Sequence, residues 1–187
     1  MKTPRNRRSR RVVLMWAGGS PPRALAGAGL EGALERFLRE LGFRRAGLTV
    51  RLAGDAALRR LNARHRGVDA PTDILSWSYL EARPRRGGEP PLLGELAVSL
   101  ARARHQAREN GWDVRTELLR LLAHGCAHLA GYTHRTRAED RRMRAVEERL
   151  LARVALRGLY PAPAAPRPAR ATGRRARANP RASAARD

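Results

Sequence analysis

GLTVRLAGDAALRRLNARH, residues 47–65, changes its period partway along, and that change decides the fold class. Residues 47–53 alternate as a half-buried strand does, sending successive side chains to opposite faces. Asp55 then offers a cap for a helix running to about His65. Working outward, RVVLMW (11–16) reads as an earlier strand. LEGALERFLREL (30–41) reads as a helix, with apolar residues at 30, 34, 37, 38 and 41 and Gly42 closing it. Downstream, TDILSWSY (72–79) and GELAVSL (94–100) are two further strand candidates. The segment between them, EARPRRGGEPPLL, is rich in Pro, Gly and Arg and reads as a hairpin loop. Helices are predicted at about 100–109, 113–130 and 136–157, the last opened by a capping box of Thr136 and Glu139. Strands early and helices late predict one α+β domain, a small mixed sheet of about four strands packed by about five helices.

Composition bounds the function. The chain has 187 residues and a formal net charge of +22. Residues 1–11 and 161–187 each carry +6, which leaves +10 for residues 12–160, so the body alone attracts polyanions. Lys2 is the only lysine, and compositional bias accounts for Arg over Lys but not for so few acids. The expected organisation is a basic disordered arm (1–10), a domain (11–158) and an Arg/Ala/Pro-rich disordered tail (159–187), because the tail has too little apolar surface to fold. VVLMWAGG after the basic start resembles a signal peptide, but it is short and broken by Ser20, Pro21, Pro22 and Arg23. No stretch reaches the ~20 apolar residues of a membrane span. A soluble, cytoplasmic protein is expected. The single cysteine, Cys126, excludes an internal disulfide.

The densest chemistry lies in HGCAHLAGYTH, residues 124–134. On the penultimate helix His124 and His128 share a face one turn apart, close enough to hold one ion. Gly131 can adopt the left-handed conformation that ends a helix and lets His134 return to the same point. Three neutral imidazoles with one open position describe a catalytic zinc site. The HExxHxxGxxH zinc peptidases have their general base after the first His, where this chain has Gly125, so the peptidase base is missing. Cys126 falls about 200° away from either helical His and is expected to be a small buried side chain.

Other polar residues have weaker claims. Glu117, seven residues before His124, lies on nearly the same face and is either a partner for an imidazole or an exposed helix Glu. Thr72 and Asp73 suit a turn cap. Ser76 alternates with Leu75 and Trp77 and either faces a cleft or does not. His105 reads as surface. Trp16, Trp77 and Trp112 are scattered, as core residues rather than a stacking platform would be.

Four segments together carry a family resemblance. LNARHRGVDAPTDILSW (61–77), LLGELAVS (92–99) and HGCAHLAGYTH (124–134), followed by Met143 and Glu147, resemble the YbeY family of bacterial rRNA maturation endoribonucleases over residues 48–152. The resemblance implies that His124, His128 and His134 bind one Zn2+ and that Arg66 and His124 serve catalysis. It further implies cleavage of single-stranded ribosomal RNA in rRNA 3'-end maturation and ribosome quality control. The partners implied are RNA and the ribosome or its small subunit, with no membrane and no DNA. Two positions depart from the family: His65 replaces a Tyr, and Thr133 replaces an Asp that could have oriented a ligand or a water.

The chemistry suits that implication. Zinc on three neutral imidazoles keeps its +2 charge and brings a bound water toward a pKa of ~7. Arg66 can hold a phosphate in a bidentate grip. Two alternatives stand beside it: a zinc peptidase using Glu95 or Glu117 as base, and a non-catalytic RNA-binding assembly factor with structural zinc.

Overall fold

In a computed structural model of the chain, residues 11–17, 25, 29–80 and 91–160 are described. Nine elements follow one another: β1 (Val12–Trp16), α1 (Leu30–Glu40), β2 (Gly47–Ala53), α2 (Asp55–Arg66), β3 (Ile74–Ser78), β4 (Leu92–Ser99), α3 (Leu100–Glu109), α4 (Val114–Leu129) and α5 (Arg137–Ala152). The strands form one sheet in the order β1-β2-β4-β3. β1 and β4 flank β2 in parallel, whereas β3 runs antiparallel to β4, so the sheet is mixed. The α+β class and the count of four strands and five helices match the sequence expectation. The basic arms, 1–10 and 161–187, lie outside the described residues, as does 81–90 of the expected hairpin loop.

Period two along the strands divides the sheet into two faces. Leu48, Val50, Leu52, Leu96 and Val98 point toward α1, α4 and α5, where they meet Leu34, Phe37, Leu122 and Leu150 in the main core. Each such fully buried Leu or Phe contributes roughly 1.5–3 kcal/mol. Among the described residues the other face is covered by α2, through a small cluster of Leu58, Leu75, Ala53 and Ala97.

Several boundaries differ from expectation for physical reasons. Leu92 and Leu93 belong to β4 and not to the loop, since Leu93 is buried and Leu92 pairs with Gly47. Asp55 is not the cap of α2; Gly54 takes that place, and Asp55 accepts a hydrogen bond from the buried Ser99 hydroxyl, which itself caps α3. The last helix stops at Ala152, short of the expected 157. Ala155 adopts φ 61, and the amides of Val154 and Leu156 bond to the Leu151 carbonyl, so the chain folds back. Leu159 and Tyr160, expected at the head of the tail, consequently pack on the core.

Candidate metal centre

α4 carries the first two histidines, and its seat on the sheet is set by two glycines. Asp113 caps the helix by accepting from the Thr116 amide at 2.9 Å. A Cβ at Gly125 would stand 2.7 Å from Ile74 Cδ1 and 2.8 Å from a Leu96 methyl, and one at Gly94 would strike the Trp77 carbonyl and Leu129. Gly125 therefore faces the sheet and not the imidazoles. The peptidase's base is missing at this position, and close helix–sheet packing gives glycine there a second, structural reason. With that side of α4 pressed on β3 and β4, His124 and His128 emerge on its half-buried side.

The turn after α4 delivers the third histidine. Gly131 takes φ +92; its amide bonds to the His128 carbonyl and the Tyr132 amide to the Ala127 carbonyl, a Schellman pair. This turn aims the Tyr132 carbonyl at His128 Nδ1, 2.9 Å away. A carbonyl only accepts, so His128 is protonated on Nδ1 and presents a bare Nε2. His124 Nδ1 lies 2.7 Å from the Glu147 carboxylate on α5, which fixes the same tautomer. The two Nε2 atoms stand 3.1 Å apart, and ligand atoms of His124, His128 and His134 all lie within 4.8 Å of one another.

Lone pairs crowded at that distance repel unless a cation or proton lies between them, so this donor set fits a divalent transition metal. Burial, followed by the neighbouring His124, holds the His128 pKa below its usual value, which favours the neutral form that ligates. His134 is exposed and the His124 side chain is 28% exposed, so the site opens to solvent as a catalytic centre requires and a closed structural site does not. Cys126 is fully buried in the core, where desolvation pushes its thiol up to about 12, and it takes no part.

Behind the imidazoles lies a buried polar relay. Burial raises the Glu147 pKa, but the His124 hydrogen bond and the Arg120 charge outweigh it, and the carboxyl ends below its usual range. Arg120 grips Glu117 through Nε at 3.0 Å and Nη2 at 2.5 Å. Glu117 is wholly buried and paired with Arg120, so it is neither the partner of His124 nor an exposed residue, as the two sequence readings had it. The partner is Glu147, which periodicity could not find because it sits on another helix. Tyr160 buries its hydroxyl beside Arg120 and Glu147, and burial raises its pKa.

Arg66 ends α2, whose buried side packs on the sheet face away from α4; its own side chain is exposed and makes no hydrogen bond or ion pair with another described residue. The loop after it is well held: Gly67 takes φ +70, Asn62 Nδ2 donates to the Ala70 carbonyl at 2.8 Å, and Arg59 grips Asp69 in a fork at 2.6 Å. Asp73 accepts from the Ile74 amide and from Gln106, with Thr72 beside it, the turn role expected of them. Ser76 lies half-buried opposite Leu96, on the face of α4. His105 is a surface residue paired with Glu109. Thr133 lies beside Glu139. Glu95 is on the sheet face away from α4, and Glu117 is locked to Arg120, so neither candidate base of the peptidase alternative reaches the imidazoles.

The chain is similar to several known proteins. Residues 26–155 match the family model described as endoribonuclease YbeY. An endoribonuclease YbeY of Pelotomaculum thermopropionicum is 40% identical over 126 residues, covering 66% of this chain and 83% of that protein. One from Thermus thermophilus is 41% identical over 132 residues, 71% of this chain and 93% of that protein. A solution structure of a Thermotoga maritima protein covers 77% of this chain and 91% of its own at 23% identity and a TM-score of 0.49. On the matched segments and the extent of these relatives, the chain belongs to the endoribonuclease YbeY family.

Proposed function

We propose that this chain is a zinc-dependent endoribonuclease that cuts single-stranded ribosomal RNA in the cytoplasm, during 3'-end maturation and quality control on the small ribosomal subunit. The observation that carries the reading is the convergence of three imidazoles with the Nδ1 atoms of two of them anchored, His124 by Glu147 and His128 by the Tyr132 carbonyl. His124, His128 and His134 would hold the ion through ring nitrogens. Bound there, Zn2+ supplies Lewis acidity toward a phosphoryl oxygen or a water.

The chain's own residues supply the rest. Arg66, free of other described partners, forks onto a phosphate and offsets charge that builds during cleavage. Glu147 keeps the proton of His124 on Nδ1, so this ligand stays oriented through the reaction. The +10 body attracts the RNA backbone. The Glu147 carboxylate is engaged by His124 Nδ1, and neither Glu95 nor Glu117 reaches the imidazoles, so among the described residues peptide hydrolysis lacks its proton shuttle.

Incubating wild type, His128→Ala and Arg66→Ala with structured RNA and with casein tests the reading, beside metal analysis of the purified protein. RNA cutting that both substitutions abolish or cripple supports it. Casein cleavage, or protein purified with clearly substoichiometric transition metal, overturns it.

A further inference from the structure

The sheet face away from α4 holds a groove that the metal chemistry does not use. It has a volume of ≈ 170 Å³, and its lining includes Met15, Arg51, His65, Trp77, Tyr79 and Glu95. These residues come from all four strands or their ends and from α2. Only α2 covers this face among the described residues, and beyond it Met15 and Tyr79 are each 37% exposed and Val13 43%. The volume falls below the ~300–1,000 Å³ of pockets that enclose drug-sized ligands, so the groove suits one ring system lying on the surface.

Its chemistry selects the occupant. Three of the ten lining residues are aromatic with polar tips, and His65 stands edge-to-face with Trp77 at 5.2 Å. Planar faces with polar edges are how proteins take unpaired bases without enclosing them. The surroundings are cationic: Arg51 on the floor and Arg60 and Arg64 along α2 are all exposed and form no ion pair with a described residue. The lining also holds Leu61, Leu96 and Ala97, but an apolar surface for a protein partner would call for fewer unpaired cations around it. The carboxylate of Glu95 repels phosphate but accepts hydrogen bonds from an amino group on a base edge, as carboxylates do from cytosine N4.

We propose that this groove is a second contact point for single-stranded RNA, taking one unpaired base against Trp77 while Arg51 and the α2 arginines meet the flanking phosphates. It rests on the endoribonuclease reading and extends it to the far side of the sheet. β3 is the terminal strand, with α4 on one side of it and the groove on the other. A strand of RNA engaging both sites passes around that edge, and an RNA too short to do so binds more weakly.

Fluorescence anisotropy of the full chain with a labelled 2'-O-methyl oligocytidine, its length verified on a gel, tests the assignment. Trp77→Leu is expected to weaken binding on the order of tenfold, as loss of one stacked base does, while Trp77→Phe keeps most of it. Arg51→Glu, on an exposed side chain, should also weaken binding and flatten the salt dependence by about one counterion. That variant keeps the test decisive should Trp77→Leu melt early. Glu95→Gln should reduce the preference for oligocytidine over oligouridine. Unchanged affinity in both Trp77→Leu and Arg51→Glu overturns the groove and hands this face to a protein partner, without touching the nuclease reading. Wild-type protein that binds no RNA overturns both.

Discussion

The two faces of the sheet treat charge in opposite ways. On the covered face, Glu117, Arg120, Glu147 and His124 form a chain of polar groups packed behind the metal ligands, with both carboxylates almost wholly removed from water. On the other face, arginines at 51, 60 and 64 stand in solvent, unpaired with any described residue. A metal ion tolerates little misplacement of its ligands, and hydrogen bonds orient two of the three imidazoles that could hold one, His124 and His128. A phosphate backbone varies in shape, and the groups that meet it stay exposed and adaptable. On the proposed function, that difference separates holding a metal ion from meeting RNA.

That division is open to attack, most severely at the ligands. His128→Ala should remove both metal and RNA cleavage, whereas Arg66→Ala should cost about 10²–10³ in cleavage rate with metal content unchanged. Metal analysis beside the assay decides; loss of metal in the Arg66 variant would merge the two roles. Next, Glu117→Ala leaves Arg120 without its closest anion and should destabilise the fold by about 3–5 kcal/mol, read from urea unfolding. Glu147→Gln keeps the shape but weakens the hold on His124 Nδ1, and metal affinity by competition titration should fall roughly 10–100-fold.

Gly125→Ala tests the seat of α4. Pushing a methyl against Ile74 and Leu96 should cost about 1–3 kcal/mol and weaken metal binding through displaced histidines, measurable by thermal melts with and without metal. The smallest effect belongs to Asp113→Ala, about 1 kcal/mol for a lost cap. Hydrogen bonds from the Thr116 amide and hydroxyl hold the Asp113 pKa below its ordinary value. Its contribution is therefore full above the ordinary carboxylate range and disappears as pH falls through the lowered folded value. The difference between wild type and Asp113→Ala should close in acid.

What the sequence revealed was local. His124 and His128 at four-residue spacing, and Gly131 as the turn, are read from geometry that one helix end contains, and the structure brings all three imidazoles together. The capping box at Thr136 and Glu139 was legible for the same reason. The pairing of His124 with Glu147, the burial of Glu117 and the structural reason for Gly125 all depend on elements distant in the chain, which no period reports. The early stop of α5 escaped notice because Ala155 holds a positive φ that alanine rarely signals. Strand order was likewise hidden, since β2 pairs with β4 across α2 and β3.

The contact of Gly125 with Ile74 and Leu96 reaches beyond stability. A larger side chain at that position would wedge the helix off the sheet before it could approach the ligands. Repurposing this scaffold as a protease is therefore not a matter of restoring one missing acid: an engineer would have to rebuild the helix–sheet seam first, and the histidines would move with it.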